Sequence, residues 1–252
     1  MQFAIVDGRR SQPEPGLTGL CPGCKSDMVA RCGPVRIWHW AHKGMRHCDH
    51  WWENETEWHR RWKNNFPSDW QEVIHFSPSK ERHISDVKTR YGLVIEFQHS
   101  RLDAQERVSR EDFYKKMIWV VDGTRRKRDH KRFRSGRGDW RRIRPNTPLF
   151  ASPFPENSLP QDWIDSKVPV LFDFESSNEN PPEVAQRLWC LLPGRASGQA
   201  VLWRMERAAF VKAASTGKLD LNWEAGLKQS IEATLRRQNA RISMALSRRS
   251  RF

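Results

Sequence analysis

The chain has 252 residues and a formal net charge of +14, from 44 Lys and Arg against 30 Asp and Glu. That length supports a real hydrophobic core in one large domain or two small ones, and the positive surplus favours polyanions, nucleic acid foremost, over small-molecule substrates. Five unevenly placed cysteines exclude a regular disulfide framework, and no apolar run is long enough to span a membrane.

In chain order, residues 2–6 (QFAIV) read as a short strand without the apolar stretch of a secretory leader. A Pro- and Gly-containing stretch leads to a C-x-x-C at 21–24, and RIWHWAH (36–42) alternates like a strand. Residues 53–65 have helical spacing. QEVIHF (71–76), HISDVK (83–88) and LVIEFQ (93–98) read as strands, the last two joined across Gly92. A helix is expected over 103–116 with Asp103 as N-cap, then a doubly buried strand at 117–123. Residues 125–144 hold eleven Arg or Lys and two Asp, which predicts a solvated loop or arm. VPVLFDF (168–174) and RLWCLL (187–192) look like further strands, and the second half of 199–214 favours helix. A basic amphipathic helix ends the chain, either docked on the body or trailing into solvent. The order of helices and strands predicts a mixed sheet with flanking helices. The expected domains are a zinc-binding module at 1–50, a core at 51–124, the basic arm at 125–148, further strands and a helix at 149–222 extending that core, and the terminal helix at 223–252.

Cys21 and Cys24 form a knuckle in which two thiolates can reach one ion, and His39, His42 and Cys48 follow. Zinc takes four such ligands in a tetrahedron. Cys21, Cys24, His42 and Cys48 are the expected set, with His39 as substitute and Cys32 a further candidate. The expected role is structural, since a stretch this polar gains its fold from the metal. Cysteines used this way fit a cytoplasmic protein, and Cys190 reads as a small buried apolar residue.

Three polar residues interrupt the strands at 83–98. Glu96 and Gln98 share one face, and Asp86 comes from the neighbouring strand. Two carboxylates converging at the end of a sheet repel each other unless a cation or proton lies between them, and oxygen ligands suit Mg²⁺ or Mn²⁺. Upstream, Glu55, His59 and Trp62 or Lys63 form one helical stripe. Many of the thirteen tryptophans sit beside basic residues, which suits base stacking as well as core anchoring.

The ordered motifs C-P-x-C, W-H-W-A-H, E-T-E-W-H-x-x-x-K, S-D-V, I-E-F-Q-H-S and R-E-D-F-Y make residues 1–123 resemble the competence protein CoiA-like nucleases. The resemblance implies a PD-(D/E)XK restriction-endonuclease-like fold with an N-terminal zinc module, and a nuclease dependent on a divalent metal. It implies Glu55 (or Glu57) as helical acid, Asp86 and Glu96 as metal ligands, Gln98 where the wider superfamily has lysine, and Arg110 and Tyr114 on the following helix. Lys88, on the face of Asp86, is a substitute cation.

The expected activity is phosphodiester hydrolysis on nucleic acid, DNA foremost. His59 would carry a proton or buttress Glu55, Gln98 would orient water, and Arg110 would hold a phosphate or Glu96. Lys88, Arg110, Tyr114, Arg125, Arg126, Lys127, Arg128, Lys131, Arg132 and Arg134 would contact nucleic acid. The rival expectation is a zinc-containing nucleic-acid-binding protein without catalysis. Strandedness, protein partners and oligomeric state are not encoded legibly.

Overall fold

The computed structural model describes residues 1–44, 48–77, 80–174, 186–219 and 223–249, and the chain forms two compact units, Met1–Met117 and Ile118–Phe252.

The first unit opens with a five-stranded antiparallel sheet of β1 (Ala4–Val6), β2 (Arg9–Ser11), β3 (Thr18–Leu20), β4 (Asp27–Arg31) and β5 (His39–His42), in the order β2-β1-β3-β4-β5. Its small core is Ala4, Cys21, Met28 and Trp40. The Trp40 indole N–H donates to the Ser11 carbonyl at 3.0 Å, so this buried aromatic carries no unpaired polar atom. β2 and β3 fall in the Pro- and Gly-containing stretch and β4 just past the C-x-x-C, where alternation is too short to read as strand. The knuckle Cys21–Cys24 is the β3–β4 turn, closed by Cys21 N–H to Ser26 O and Lys25 N–H to Cys21 O, both 2.9 Å.

Helix α1 (Glu57–Lys63) is shorter than the expected 53–65. Thr56 caps it, its hydroxyl accepting from His59 N–H, while the His59 ring reaches back to Thr56 N–H in a capping box. Trp58 and Trp62 are its buried face, and Trp62 stacks on Phe97 with centroids 5.6 Å apart. β6 (Gln71–Phe76), β7 (Arg82–Lys88) and β8 (Val94–Gln98) form an antiparallel run. α2 (Ala104–Tyr114) follows, with Asp103 accepting from Gln105 N–H and Glu106 N–H as the expected N-cap.

The second unit is a mixed sheet. β9 (Met117–Asp122) runs parallel to β12 (Val170–Asp173), and β13 (Arg187–Leu191), β14 (Ala200–Glu206), β11 (Leu149–Ser152) and β10 (Arg141–Arg142) add antiparallel neighbours in that order. β12 is buried throughout and β9 nearly so, as their continuous apolar runs predict. α4 (Arg207–Thr216) continues directly from β14.

The stretch 125–148, expected as a loop or arm, instead contains helix α3 (Lys127–Gly136) and strand β10. Phe133 decides this: it is buried and stacks on Phe174 at 3.9 Å, 9° from parallel. This anchor, with the buried Trp140 and Ile143 beyond it, offsets the cost of ordering a highly charged segment. The helix ends where Gly136 approaches the chain at 155–158, since a Cβ there would lie 2.3 Å from the Asn157 carbonyl oxygen. After α5 (Trp223–Gly226), α6 (Lys228–Arg249) docks rather than trails. Ile231 and Leu235 are buried, and the Gln238 amide donates to Ile143 O at 2.9 Å. No helix among the described residues is long and apolar enough to cross a membrane.

Candidate functional site

Both groups of interest lie in the first unit. The Cys21, Cys24, His42 and Cys48 ligand atoms all lie within 4.8 Å of one another, with Cys21 Sγ to Cys48 Sγ at 3.6 Å and Cys24 Sγ to His42 Nε2 at 3.3 Å. A tetrahedral zinc site places sulfurs roughly 3.8 Å apart, so this Cys₃His group could hold zinc. The β3–β4 turn supplies two ligands and the end of β5 the third. Hydrogen bonding from Cys48, against burial and with help from Cys24 N–H and Gly23 N–H, lowers the Cys21 thiol, and the same contact raises that of Cys48. His39 lies outside the group, its Nδ1 2.9 Å from Ile37 O, and so does Cys32.

The second group lines a cavity of about 520 Å³ whose wall includes Glu53, Glu55, His59, Lys63, Asp86 and Glu96. β7 and β8 pair at Val87↔Ile95 and Lys88↔Val94, so the next register places Asp86 opposite Glu96. There side chains take over the ladder. Asp86 N–H donates to Glu96 Oε1 at 3.1 Å, and Phe97 N–H donates to Asp86 Oδ2 at 2.9 Å. Val87, Ile95 and Phe97 are buried in the core.

Burial raises the Asp86 carboxyl above its ordinary range against the opposing charges of Lys63 and His59. Burial, then the charge of Asp86, pushes Glu96 up to about 8, with Arg110 opposing. In both acids burial outweighs the cations nearby. Glu96 has one ion pair, to Arg110 Nη1 at 3.1 Å, and among the described residues no cation ion-pairs with Asp86.

The upstream acids behave differently. Glu55 precedes α1 rather than lying on it, and pairs with Lys63 at 2.5 Å and Arg60 at 2.8 Å. Burial works to raise Glu55, but Lys63 and Arg60 overcome it and hold the carboxyl far below its usual range. Burial works to lower Lys63, and the charges of Glu72 and Glu55 overcome that. Glu57 is exposed at the start of the helix. The acid that reaches His59 is Glu53, with Oε1 at 2.5 Å from Nε2; its Oε2 accepts from the Gln98 amide at 2.8 Å and from the Ser100 hydroxyl. Burial works to raise Glu53 and to lower His59, and their mutual hydrogen bond overcomes both, so Glu53 is shifted down and His59 up. Glu53 is not among the acids that the sequence pattern singles out. The signal for it is Thr56 as N-cap: a cap there places residue 53 before the helix and His59 at its third position.

Arg110 is buried, donating to Glu96, Glu106 and the Trp51 carbonyl. Tyr114 packs 5.0 Å from the His75 ring. Lys88 lies outside the cavity wall, and the charges that act on Asp86 against burial are those of Lys63, then His59. In the second unit Arg125, Arg126, Lys127, Arg128, Lys131 and Arg134 are exposed, and Arg132 is half-buried beside Asp129. Most tryptophans near basic residues, such as Trp58, Trp62 and Trp140, are core anchors, while Trp38 and Trp52 are exposed.

No curated protein and no solved structure matches this chain. The Cys₃His residues, from Cys21 to Cys48, lie within residues 19–50, which match the family model of the competence protein CoiA N-terminal domain.

Proposed function

We propose that this chain is a divalent-metal-dependent nuclease acting on nucleic acid, DNA foremost, on a PD-(D/E)XK-like core with a structural zinc module. The carrying observation is the Asp86–Glu96 pair, a half-buried and a buried acid facing each other across adjacent strands, with Asp86 N–H donating to the Glu96 carboxylate and Phe97 N–H to that of Asp86 where the ladder opens. The match to a competence protein's N-terminal domain supports a role in handling DNA during competence.

Held by Asp86 and Glu96, Mg²⁺ or Mn²⁺ would polarise the scissile phosphate and lower the pKa of a bound water. Glu53 takes the place first expected of Glu55 as the third acid. His59, hydrogen-bonded to Glu53, is the proton carrier. Gln98 fixes the Glu53 carboxylate. Glu55, neutralised by Lys63 and Arg60, holds the start of α1. Arg110 orients Glu96, and the exposed basic residues of α3 grip phosphates without reading sequence.

The test is cleavage of plasmid, linear and single-stranded DNA and of RNA, with Mg²⁺, Mn²⁺ or EDTA. Metal-dependent cutting that Asp86→Ala and Glu96→Ala each abolish supports the reading; undiminished cutting by either variant ends it. The Arg110–Glu96 ion pair favours one rival, since it already neutralises one acid: a protein that binds nucleic acid without cutting it. Retained gel shift with no metal-dependent cleavage on any substrate would select that rival.

A further inference from the structure

β7 begins beside the cysteine group and, four residues on, carries Asp86. At its start the Arg82 guanidinium donates to two carbonyls, Gly23 O at 2.9 Å and Cys48 O at 3.1 Å. Gly23 lies inside the Cys21–Cys24 knuckle, and Cys48 is itself a ligand candidate. One rigid fork thus spans two loops that a shared ion would hold at fixed separation.

The next residue after Cys48 acts on the same strand. Asp49 is buried, and its carboxylate accepts from Ile84 N–H at 2.8 Å and from Trp51 N–H at 3.0 Å, and lies 2.9 Å from His83 Nδ1. Ile84 and Asp86 send their N–H groups to the same edge of β7, where pairing with β8 has ended. Asp49 satisfies one and Glu96 the other. Trp51 then stacks on His83 with centroids 3.2 Å apart, and its carbonyl accepts from Arg110 at 2.5 Å, the same guanidinium that pairs with Glu96. Residues 48–51 therefore reach Asp86 through the backbone of β7 and Glu96 through Arg110.

We propose that Arg82 and Asp49 are positioning residues that make the cation affinity of the Asp86–Glu96 pair depend on an intact Cys₃His centre. The proposal rests on the reading of that pair as a cation site. With the knuckle and Cys48 drawn to one ion, Arg82 and Asp49 hold the open edge of β7 in register, and the two carboxylates start from their ligating separation. Without that anchor the edge frays, and part of the binding energy goes into restoring it.

The test needs neither nucleic acid nor turnover. Zinc content, Mn²⁺ affinity (by electron paramagnetic resonance of free Mn²⁺) and amide hydrogen exchange are measured on the full chain as wild type, Arg82→Ala, Arg82→Lys and Asp49→Asn. Arg82→Ala and Asp49→Asn are expected to keep their zinc and circular dichroism, to lose between about 5- and 150-fold in Mn²⁺ affinity, and to exchange faster at Ile84 and Asp86. Arg82→Lys keeps one donor and should fall between. A purely structural role would lower the melting temperature and leave Mn²⁺ affinity untouched, and that result overturns the coupling. Should Arg82→Ala not fold, Arg82→Lys with wild-type Mn²⁺ affinity overturns it equally. Wild-type protein that binds no Mn²⁺ overturns the cation reading itself, a failure distinct from Mn²⁺ binding that is indifferent to Arg82.

Discussion

Glu53 and Glu55 are two residues apart, yet their neighbours give them opposite fates. Glu55 is neutralised by Lys63 and Arg60, whereas Glu53 is joined to His59 and Gln98. Glu53→Gln should therefore lower metal-dependent cleavage by about 100-fold or more, the range expected for a positioned proton-transfer group. Glu55→Gln should change it by less than about tenfold and cost stability instead, because Lys63 loses a partner while keeping Glu72 at 3.1 Å. Single-turnover rates and melting temperatures of the two variants separate these outcomes. Glu96 makes a pH prediction. Its folded carboxyl stands at about 8, above the ordinary 4.5, so the folded state holds a proton that the unfolded state releases. The contribution of Glu96 to the stability of the metal-free protein is then fully present below the ordinary value and is lost as pH rises from about 4.5 to 8, an amount on the order of a few kcal/mol. Glu96→Gln should flatten that fall in urea titrations across the same range.

Among the elements, α1 and α3 carry the clearest lessons. α1 is held by its cap and by Trp58 and Trp62. Thr56→Ala should cost about 1 kcal/mol and loosen the His59 ring, which lies 3.0 Å from the Thr56 hydroxyl. α3 depends on Phe133. Phe133→Ala removes a fully buried ring from its stack on Phe174 and should destabilise the second unit by about 3–5 kcal/mol, read by chemical denaturation. The charge count made 125–144 look like an arm because eleven basic residues outweigh Phe133, Trp140 and Ile143 in any local sum. That phenylalanine needs Phe174, which is remote in sequence, before it counts for anything. The strands from 71 to 98 were legible almost residue by residue, since alternation and a glycine turn are local signals.

Taken whole, the molecule pairs a carboxylate cavity with a strongly basic remainder. On the proposed reading, nucleic acid binding weakens steeply with salt. Reversing Arg128, Lys131 and Arg134 to Glu together should reduce the slope of log affinity against log salt by about 0.9 for each phosphate that is no longer neutralised. Fluorescence anisotropy across a salt series, with EDTA present to prevent cleavage, measures it; an unchanged slope would remove α3 from the interface.

Two things were determined by the sequence alone. Cysteine and histidine spacing assembled the zinc-type ligand set up to the choice among His39, His42 and Cys32. The two-residue period of a strand placed Glu96 with Gln98 and brought Asp86 across from its neighbour. Both are consequences of short-range geometry, which adjacent residues carry with them. The tertiary structure decided which polar groups meet: His59 and the Gln98 amide on Glu53, Lys63 on Glu55 and Glu72, Arg110 on Glu96, and Arg82 on the carbonyls of the cysteine loops. Whether a carboxylate is neutralised or left short of charge depends on what long-range packing delivers to within a few ångströms of it, and no local pattern encodes that distance.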